Sequence, residues 1–412
     1  MSDNDLKEKK QYTQDSTLSP KLGGGNRYQL NELQSRTIDW LRFPLIICVI
    51  FIHNAQLKLD APYPLITSDT ISLSLLADYI RIWISWVATH IAVPCFFVIS
   101  GFLFFLKTPD LTRDIYKSKI KKRFFTLFIP YIIWNLIPLF IDLGLKLSKP
   151  LLHGWSWSEY GRFVIDQINT NGFLNVFWKW NTWGGYYPNW LGQYIENSGP
   201  YNLPLWYLRD LIVVTLLTPL LYILVKKAGR AFIAILIVLY FGGISSSIPG
   251  TQTMTLLYFS TGAYLAINRK NIIVEFRKIE KPCYLLAVVF MLLATYFSGN
   301  RSLIGHYFYC GYVLVGVVSA FNIASRLLES GKTKVHPILT SSVFFIYAFH
   351  TNWFVGLYDR ILNKGFAILG ADSVNVFTYV TTPFVKAVIC ILVFVLINRY
   401  VPRVGKVLTG SR

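Results

Sequence analysis

An arginine and a histidine stand eleven residues apart in the first apolar stretch of the chain, 36-RTIDWLRFPLIICVIFIHNAQ-56. Eleven helical steps of about 100° return to within about 20° of the starting direction, so Arg42 and His53 share one helix face. At about 1.5 Å per residue, they lie about 16 Å apart along the axis. Asp39, three residues before Arg42, can pair with it. The face therefore combines a possible proton acceptor with a possible anion-binding group.

Such groups are costly in a lipid bilayer, at about 2.5–3.5 kcal/mol or more for one charge at the centre of a membrane helix. They normally face a bundle interior or a wet cavity, which favours a polar channel beside this helix. Two plainer interpretations remain open. Asp39 and Arg42 can extend to the lipid headgroups because both lie near the helix start. His53 can be neutral and hydrogen-bonded to a neighbouring helix.

Two more histidines fall inside predicted membrane helices. His90 lies toward the outer end of the second helix, and His350, in 344-FFIYAFHTNW-353, lies past the middle of the ninth. Each by itself is typical of a structural role. Together with His53, they could instead form a proton relay, which would support a transporter.

Basic residues concentrate in the stretch 113-RDIYKSKIKKRFFTLFIP-130. Its six cations are Arg113, Lys117, Lys119, Lys121, Lys122 and Arg123. A run of this kind is typical of a cytoplasmic loop that contacts lipid headgroups. Beside a channel containing Arg42, it could instead bind the phosphates of a polyanionic donor.

The predicted outer side of the membrane is rich in aromatic residues. The segment 147–204 contains half of the twelve tryptophans, Trp183 among them, and 203-LPLWYLRDL-211 places Trp206 beside Arg209 and Asp210. These residues fit an interfacial belt, a cap on the bundle and an Arg–Asp pair. They also fit a charged rim over the cavity and a surface on which sugar rings stack.

Composition shows which class of protein must position these groups. The chain has 412 residues, 53% hydrophobic and only 15% charged, against about 25% charged in soluble domains. In such a chain the net charge of +19 indicates basic cytoplasmic loops and anionic lipid rather than nucleic acid. The five cysteines stand singly in apolar runs, so neither a metal site nor a disulfide framework is predicted. The polar first 36 residues do not resemble a signal peptide.

Hydropathy predicts an all-α, polytopic membrane bundle of about ten transmembrane helices. The predicted spans are 37–57, 82–106, 124–146, 205–225, 231–249, 252–267, 283–299, 302–325, 338–358 and 376–398. Lys and Arg are concentrated in the alternate connections that include both chain ends, which places both termini in the cytoplasm and suits a multi-pass plasma (inner) membrane protein. Residues 1–36 are predicted to be a disordered cytoplasmic tail, 37–401 the membrane domain with the long outer segment 147–204, and 402–412 a second cytoplasmic tail.

Several of these stretches together resemble the integral-membrane acyltransferase family 3, known for O-acetylation of surface polysaccharides. The matching stretches are 38-IDWLRFPLIICVIFIHN-54, 94-PCFFVISGFLFF-105, 122-KRFFTLFIPYIIW-134, 205-LWYLRDL-211 and 346-IYAFH-350. They occur in the expected order over residues 37–355. The basic loop departs from the family pattern, since Arg123 is followed by Thr126 where a second arginine is common, and Lys119 and Lys122 form the nearest such pair.

The resemblance implies acyl transfer from acyl-CoA, usually acetyl-CoA, to a sugar hydroxyl of a surface or lipid-linked glycan. It implies that Arg42 and His53 are the functional pair, with His53 as general base. Arg42, Lys119, Lys122 and Arg123 are the candidate donor-binding residues. Trp206, Arg209, His350 and Trp183 are the candidate acceptor-binding residues. Acetyl-CoA is expected as a substrate, with no metal, no permanently bound cofactor and membrane lipid as surroundings.

Other functions remain compatible with the sequence. A glycan or lipid transporter would use the same histidines and arginine to line a translocation path. A membrane domain that keeps the fold without catalysis would act as a partner or sensor. Ser100, in 98-VISGF-102, is an alternative nucleophile, but its position near the cytoplasmic end of the second helix assigns it to packing or the channel wall.

Overall fold

The computed structural model describes residues 24–55, 62–146, 156–159, 161–162, 165–166, 172–352, 355, 357–368 and 376–410. These residues are mostly α-helical. The helices are α1 Gly24–His53, α2 Leu73–Arg81, α3 Ala92–Phe105, α4 Arg113–Arg123, α5 Ile129–Lys146, α6 Trp206–Leu216, α7 Thr218–Phe241, α8 Thr253–Ile267, α9 Ile272–Arg277, α10 Glu280–Ser298, α11 Leu303–Glu329, α12 Pro337–Phe349, α13 Leu357–Ile368, α14 Val376–Tyr400 and α15 Pro402–Thr409. The strands are β1 Asn181–Pro188 and β2 Tyr194–Gly199.

Each predicted membrane span contains helix, but not every helix is long enough to cross a bilayer. By length and composition, five described stretches qualify: Leu73–Phe105, Arg113–Leu145, α10, α11 and α14. A sixth is formed by residues 203–241 if the pair bent by 67° between α6 and α7 counts as one span. Helices α8 and α12 are apolar but shorter. The structure therefore confirms a helical membrane protein, while the count of ten spans and the side of the termini stay predictions.

Several membrane helices change geometry along their length. A π-helical turn, Ile82–Val87, and a 3₁₀ turn, Ala88–Ile91, join α2 to α3, and a second π-helical turn, Phe124–Phe128, joins α4 to α5. Helix α7 is kinked at Gly229, whose φ of 25° and ψ of −94° are not helical. These interruptions locally change which side chains face the bundle interior.

The tail predicted to be disordered, residues 1–36, differs in part from the structure. Helix α1 begins at Gly24 rather than near residue 37, and the rest of that tail, 1–23, lies outside the described residues. The side chain of Gln34 accepts a hydrogen bond of 2.8 Å from the backbone of Ile272, which ties this extension to α9. After residue 401 the chain forms α15, whose Leu408 carbonyl accepts a bond from Trp134. Contacts with distant helices hold both segments, and hydropathy does not reveal such contacts.

Two glycines bring α3 and α8 into backbone contact. A Cβ atom added to Gly101 would lie 2.0 Å from the carbonyl oxygen of Phe259, and one added to Gly262 would lie 2.0 Å from that of Val98. Small residues allow this close approach between membrane helices. Gly101, which follows Ser100 in the stretch 98-VISGF-102, therefore has a packing role.

Helix α1 occupies a central position in the bundle. It packs against α3, α11, α12 and α14 and against the turns that join α2 to α3. The described part of the outer segment includes the antiparallel hairpin β1–β2, whose Trp190 amide donates to the Gly242 carbonyl at the end of α7. The fold thus surrounds the Arg42–His53 helix with elements from most of the chain.

Candidate active site

The last turn of α1 brings two of the predicted histidines together. His53 is the final residue of α1, and its ring centroid lies 5.3 Å from that of His350, with the ring planes inclined at 47°. His350 is 1% exposed. Residues almost 300 positions apart in the sequence therefore form one imidazole pair.

The helix end at Phe349 fixes the orientation of His350. The sequence predicted a helix through residue 358, but α12 ends at Phe349, and His350 follows as its cap. The Nδ1 atom of His350 lies 3.0 Å from the carbonyl oxygens of both Ile346 and Tyr347. Carbonyl oxygens only accept, so Nδ1 carries the proton and Nε2 of the neutral ring has a lone pair. That buried Nε2 has no hydrogen-bond partner in the part of the chain that the structure describes.

The third histidine lies at a small cavity. The Nδ1 atom of His90 is 2.7 Å from the Tyr309 hydroxyl, and His90 interacts electrostatically with His53. Trp86, His90, Tyr187 and Tyr309 line a cavity of about 60 Å³. This volume holds a few water molecules. Tyr187 belongs to β1, so the cavity lies where the helices meet the outer hairpin.

A lysine that the sequence analysis missed belongs to this cluster. Lys386 lies on α14 and interacts electrostatically with both His53 and His350. The buried residues Thr382 and Cys390 lie one helical turn before and after it, so Lys386 is on the buried face of α14. The signal was present, because a cation in the middle of a long apolar helix is costly and makes Lys386 a candidate functional residue.

The other end of the shared face is more open. Arg42 pairs with Asp39 at 3.1 Å, as predicted, and the two side chains are 33% and 39% exposed. Arg42 and His53 both belong to α1, which places them about 16 Å apart along its axis. The cationic end and the imidazole end of the site are therefore separated by about half of a hydrocarbon core that is about 30 Å thick.

The basic loop forms part of α4, and its cations do not act alike. The Lys119 ammonium donates to the Phe104 carbonyl and lies 4.8 Å from the Phe104 ring centroid. The Arg123 guanidinium lies 5.9 Å from the same centroid. Lys122 is exposed. The structure therefore places Lys119 and Arg123, one helical turn apart, at the Phe104 ring, and Lys122 is the exposed member of the three.

Ser100 lies close to this basic pair. Its hydroxyl is 3.0 Å from that of Tyr207, and Tyr207 interacts electrostatically with Arg123. The described hydrogen bond of the Ser100 side chain is with Tyr207 rather than with His53. This position fits the predicted wall or packing role rather than a nucleophile activated by His53.

The candidate acceptor residue Arg209 is enclosed by protein. Its side chain is 2% exposed and donates to Asp210 at 2.9 Å, to the Trp178 carbonyl and to the Ser198 carbonyl at 2.8 Å. These bonds join α6 to the outer segment and to β2. Arg209 and Asp210 thus form the ion pair that was one of the two alternatives offered by the sequence. Acceptor binding by Arg209 stays a prediction.

The two candidate tryptophans lie near this junction. Trp183 on β1 faces Asn197 across the hairpin, and its ring packs over Gly199, where an added Cβ atom would lie 3.2 Å from it. Trp206 is the first residue of α6 and is partly buried. Trp183 lies within the outer segment and Trp206 lies two residues after its end, whereas His350 lies beside His53. The Asn202 side-chain amide, four residues before Trp206, donates to the Ala348 carbonyl at 2.9 Å, so this junction adjoins the end of α12 that carries His350.

Comparisons with known proteins agree with the resemblance. An acyltransferase family 3 model, which describes an acyltransferase domain, matches residues 36–399. The succinoglycan biosynthesis protein ExoH of Rhizobium meliloti (strain 1021) is 24% identical over 386 residues, which cover 92% of each chain. No solved structure matches. The matched region includes all the histidines and cations described above.

Proposed function

This chain belongs to the integral-membrane acyltransferase family 3 and is an acyltransferase. From this premise we propose that it transfers an acetyl group from cytoplasmic acetyl-CoA to a hydroxyl group of a surface or lipid-linked glycan. Similarity to a protein of succinoglycan biosynthesis supports a polysaccharide as the acceptor. The donor follows from the family resemblance.

The topology is part of this proposal. Ten spans with both termini in the cytoplasm would put Arg42 and α4 on the cytoplasmic side of a plasma (inner) membrane, and His53 in its outer part. The concentration of Lys and Arg in alternate connections supports this orientation. Acetyl-CoA would then meet the cationic end of the site first.

The adjacency of His53 and His350 is the observation that carries the mechanism. Two imidazoles with ring centroids 5.3 Å apart can share the handling of one proton in a buried site. The Nε2 lone pair of His350 is available to accept a hydrogen bond, because Nδ1 is bonded to the backbone. His350 can thereby orient the acceptor hydroxyl or the ring of His53.

The reaction balances with these groups alone. His53 removes the proton of the acceptor hydroxyl as its oxygen attacks the thioester carbonyl carbon. When the tetrahedral intermediate collapses, the C–S bond breaks and the CoA sulfur leaves with the proton held by His53. An O-acyl ester and free CoA result, without an acyl-enzyme. The positive charge of Lys386 near both histidines favours the negative charge that develops on the carbonyl oxygen.

The inner end of the site suits the donor's phosphates. Arg42 is partly exposed, and Lys119 and Arg123 form a second cationic group around Phe104. Guanidinium groups bind phosphate through paired hydrogen bonds. The pantetheine arm would extend along the roughly 16 Å from Arg42 to His53 and bring the thioester to the imidazoles.

The proposal is tested with purified protein in lipid, radiolabelled acetyl-CoA and a membrane glycolipid fraction. We expect label to enter the glycolipid and free CoA to accumulate in equal amount. Mass spectrometry of the surface glycan from cells with and without the chain should show a difference of one acetyl group per modified sugar. Movement of glycolipid across the membrane without use of acetyl-CoA would favour a transporter instead.

A further inference from the structure

His53 occupies a part of α1 that a helix does not hold by itself. The last four carbonyl groups of an α-helix have no partner within the helix, so its last turn opens easily unless other groups bind them. His53 is the final residue of α1, and the Phe51 carbonyl is among these last four; within α1 and its cap it accepts one bond, from the Asn54 backbone amide at 3.1 Å. A general base must nevertheless hold its ring within a fraction of an ångström of its substrate.

Ser85 and Tyr379 bind this last turn from two other elements. The Ser85 hydroxyl, in the π-helical turn Ile82–Val87, lies 2.6 Å from the Phe51 carbonyl oxygen and 2.8 Å from the Tyr379 hydroxyl. A carbonyl only accepts, so Ser85 donates its single proton to Phe51, and Tyr379 donates to Ser85. Both Ser85 and Tyr379 are 0% exposed.

A second bond holds the residue that follows His53. The side-chain amide of Asn54, which is 5% exposed, donates to the Tyr379 carbonyl at 3.2 Å. The Phe51 ring also packs edge to face on the Tyr379 ring, with centroids 5.9 Å apart. Helix α14 thus contacts the last turn of α1 on both sides of His53, directly through Asn54 and indirectly through Ser85.

We propose that Ser85 and Tyr379 are positioning residues, whose hydrogen bonds fix the last turn of α1 and so keep the His53 ring beside that of His350. This inference rests on the role of His53 proposed above. The π-helical turn Ile82–Val87 contributes to this contact, because it carries Ser85, whose hydroxyl donates to the Phe51 carbonyl of α1. Neither side chain takes part in bond making or breaking.

The main test compares three variants in the acetyl-CoA assay. Tyr379→Phe keeps the ring and loses one hydrogen bond, so kcat should fall about 10- to 100-fold while the KM for acetyl-CoA changes less than about twofold. Ser85→Ala should give a similar loss, and the double variant should be no worse than either single variant, because both hydroxyls act through one chain of bonds. Ser85→Thr keeps a hydroxyl group and should regain most of the activity.

Tyr358→Phe is the matched control. Its hydroxyl bonds to Thr381, also on α14, at 3.3 Å and has no contact with α1 among the described residues. It should keep kcat within about twofold of the unchanged protein. Equal losses in Tyr358→Phe and Tyr379→Phe would show a general effect on α14 and would overturn the proposal.

A labelling measurement separates this inference from the proposed reaction. Diethyl pyrocarbonate modifies neutral imidazole, and peptide mass spectrometry reports its rate at His53, with the exposed His336 as internal reference. Loosening the last turn should raise the relative rate at His53 at least threefold in Tyr379→Phe and Ser85→Ala. An unchanged rate together with unchanged kcat would overturn the positioning role. If the unchanged protein does not use acetyl-CoA, the donor proposal fails and the labelling alone decides this one.

Discussion

Arg42 and Arg209 both lie in helices of the membrane bundle, and their guanidinium groups have different surroundings. Arg209, in α6, is 2% exposed and donates to a carboxylate and two backbone carbonyls. Arg42, in α1, is 33% exposed, and the carboxylate of Asp39 is its ion-pair partner among the described residues. Protein groups therefore accept from most of the five donors of Arg209, whereas Arg42 has one ion pair among the described residues.

The difference separates a structural charge from a candidate binding charge. A buried guanidinium whose donors are used holds chain segments together and leaves little for a ligand. A guanidinium with one ion pair and partial exposure can bind a phosphate without breaking the fold. The position of an arginine in a membrane helix therefore indicates a structural or a binding role. The partners of its five N–H donors indicate which of the two roles it has.

The largest expected effect tests whether the α1 face that carries Arg42 serves catalysis. His53→Ala and His53→Gln should lower acyl transfer by about 10²- to 10⁴-fold, because the general base is lost, while protein level stays unchanged. Transfer is measured in cells from the acetyl content of the glycan, with protein quantified by immunoblot. Full activity of either variant would contradict the general-base role of His53. It would also remove the reason to assign Arg42 to donor binding.

The next effect concerns Arg209, whose N–H donors are mostly bonded to protein groups. Arg209→Ala leaves the Asp210 carboxylate buried without its cation, which costs about 3–5 kcal/mol, so the amount of folded protein in the membrane should fall sharply. Arg42→Ala is the matched control and should keep a normal level. Folding is followed by fluorescence size-exclusion chromatography after detergent extraction. A normal level of Arg209→Ala would contradict its structural assignment.

A smaller effect is expected from Arg42→Lys. The change keeps the charge but loses the planar fork that binds phosphate through two bonds, so the KM for acetyl-CoA should rise about tenfold with little change in kcat. Initial rates are measured over a range of acetyl-CoA concentrations. An unchanged KM would place the donor phosphates elsewhere and make both arginines structural.

The smallest effect distinguishes the cations of α4. Lys122 is exposed, so Lys122→Ala should change the KM for acetyl-CoA by less than about twofold. Lys119→Ala loses the bond to the Phe104 carbonyl and part of the cationic group with Arg123, and should raise KM more. Rates of the two variants are compared at one low acetyl-CoA concentration. A larger rise in KM for Lys122→Ala than for Lys119→Ala would favour donor binding by the Lys119–Lys122 pair that the sequence suggested.

Prediction from sequence succeeded where the signal was local. The spacing of Arg42 and His53 correctly placed them on one helix, and Asp39 pairs with Arg42 as expected. Prediction failed at the end of α12, because the caps that stop a helix depend on groups such as the His350 imidazole. Lys386 was overlooked within a long apolar stretch, although its charge alone marked it.

The sequence by itself determined a helical membrane protein, because composition and hydrophobic runs are properties of the chain, and its ordered motifs indicated the acyltransferase family that the family model shows. Only the tertiary structure decided that His53 lies beside His350, that Arg209 bonds to Asp210 and the outer segment, and that Ser85 and Tyr379 bind the last turn of α1. Helical periodicity fixes the face on which a side chain lies. Which distant helix meets that face depends on side-chain packing throughout the bundle, which no single segment encodes.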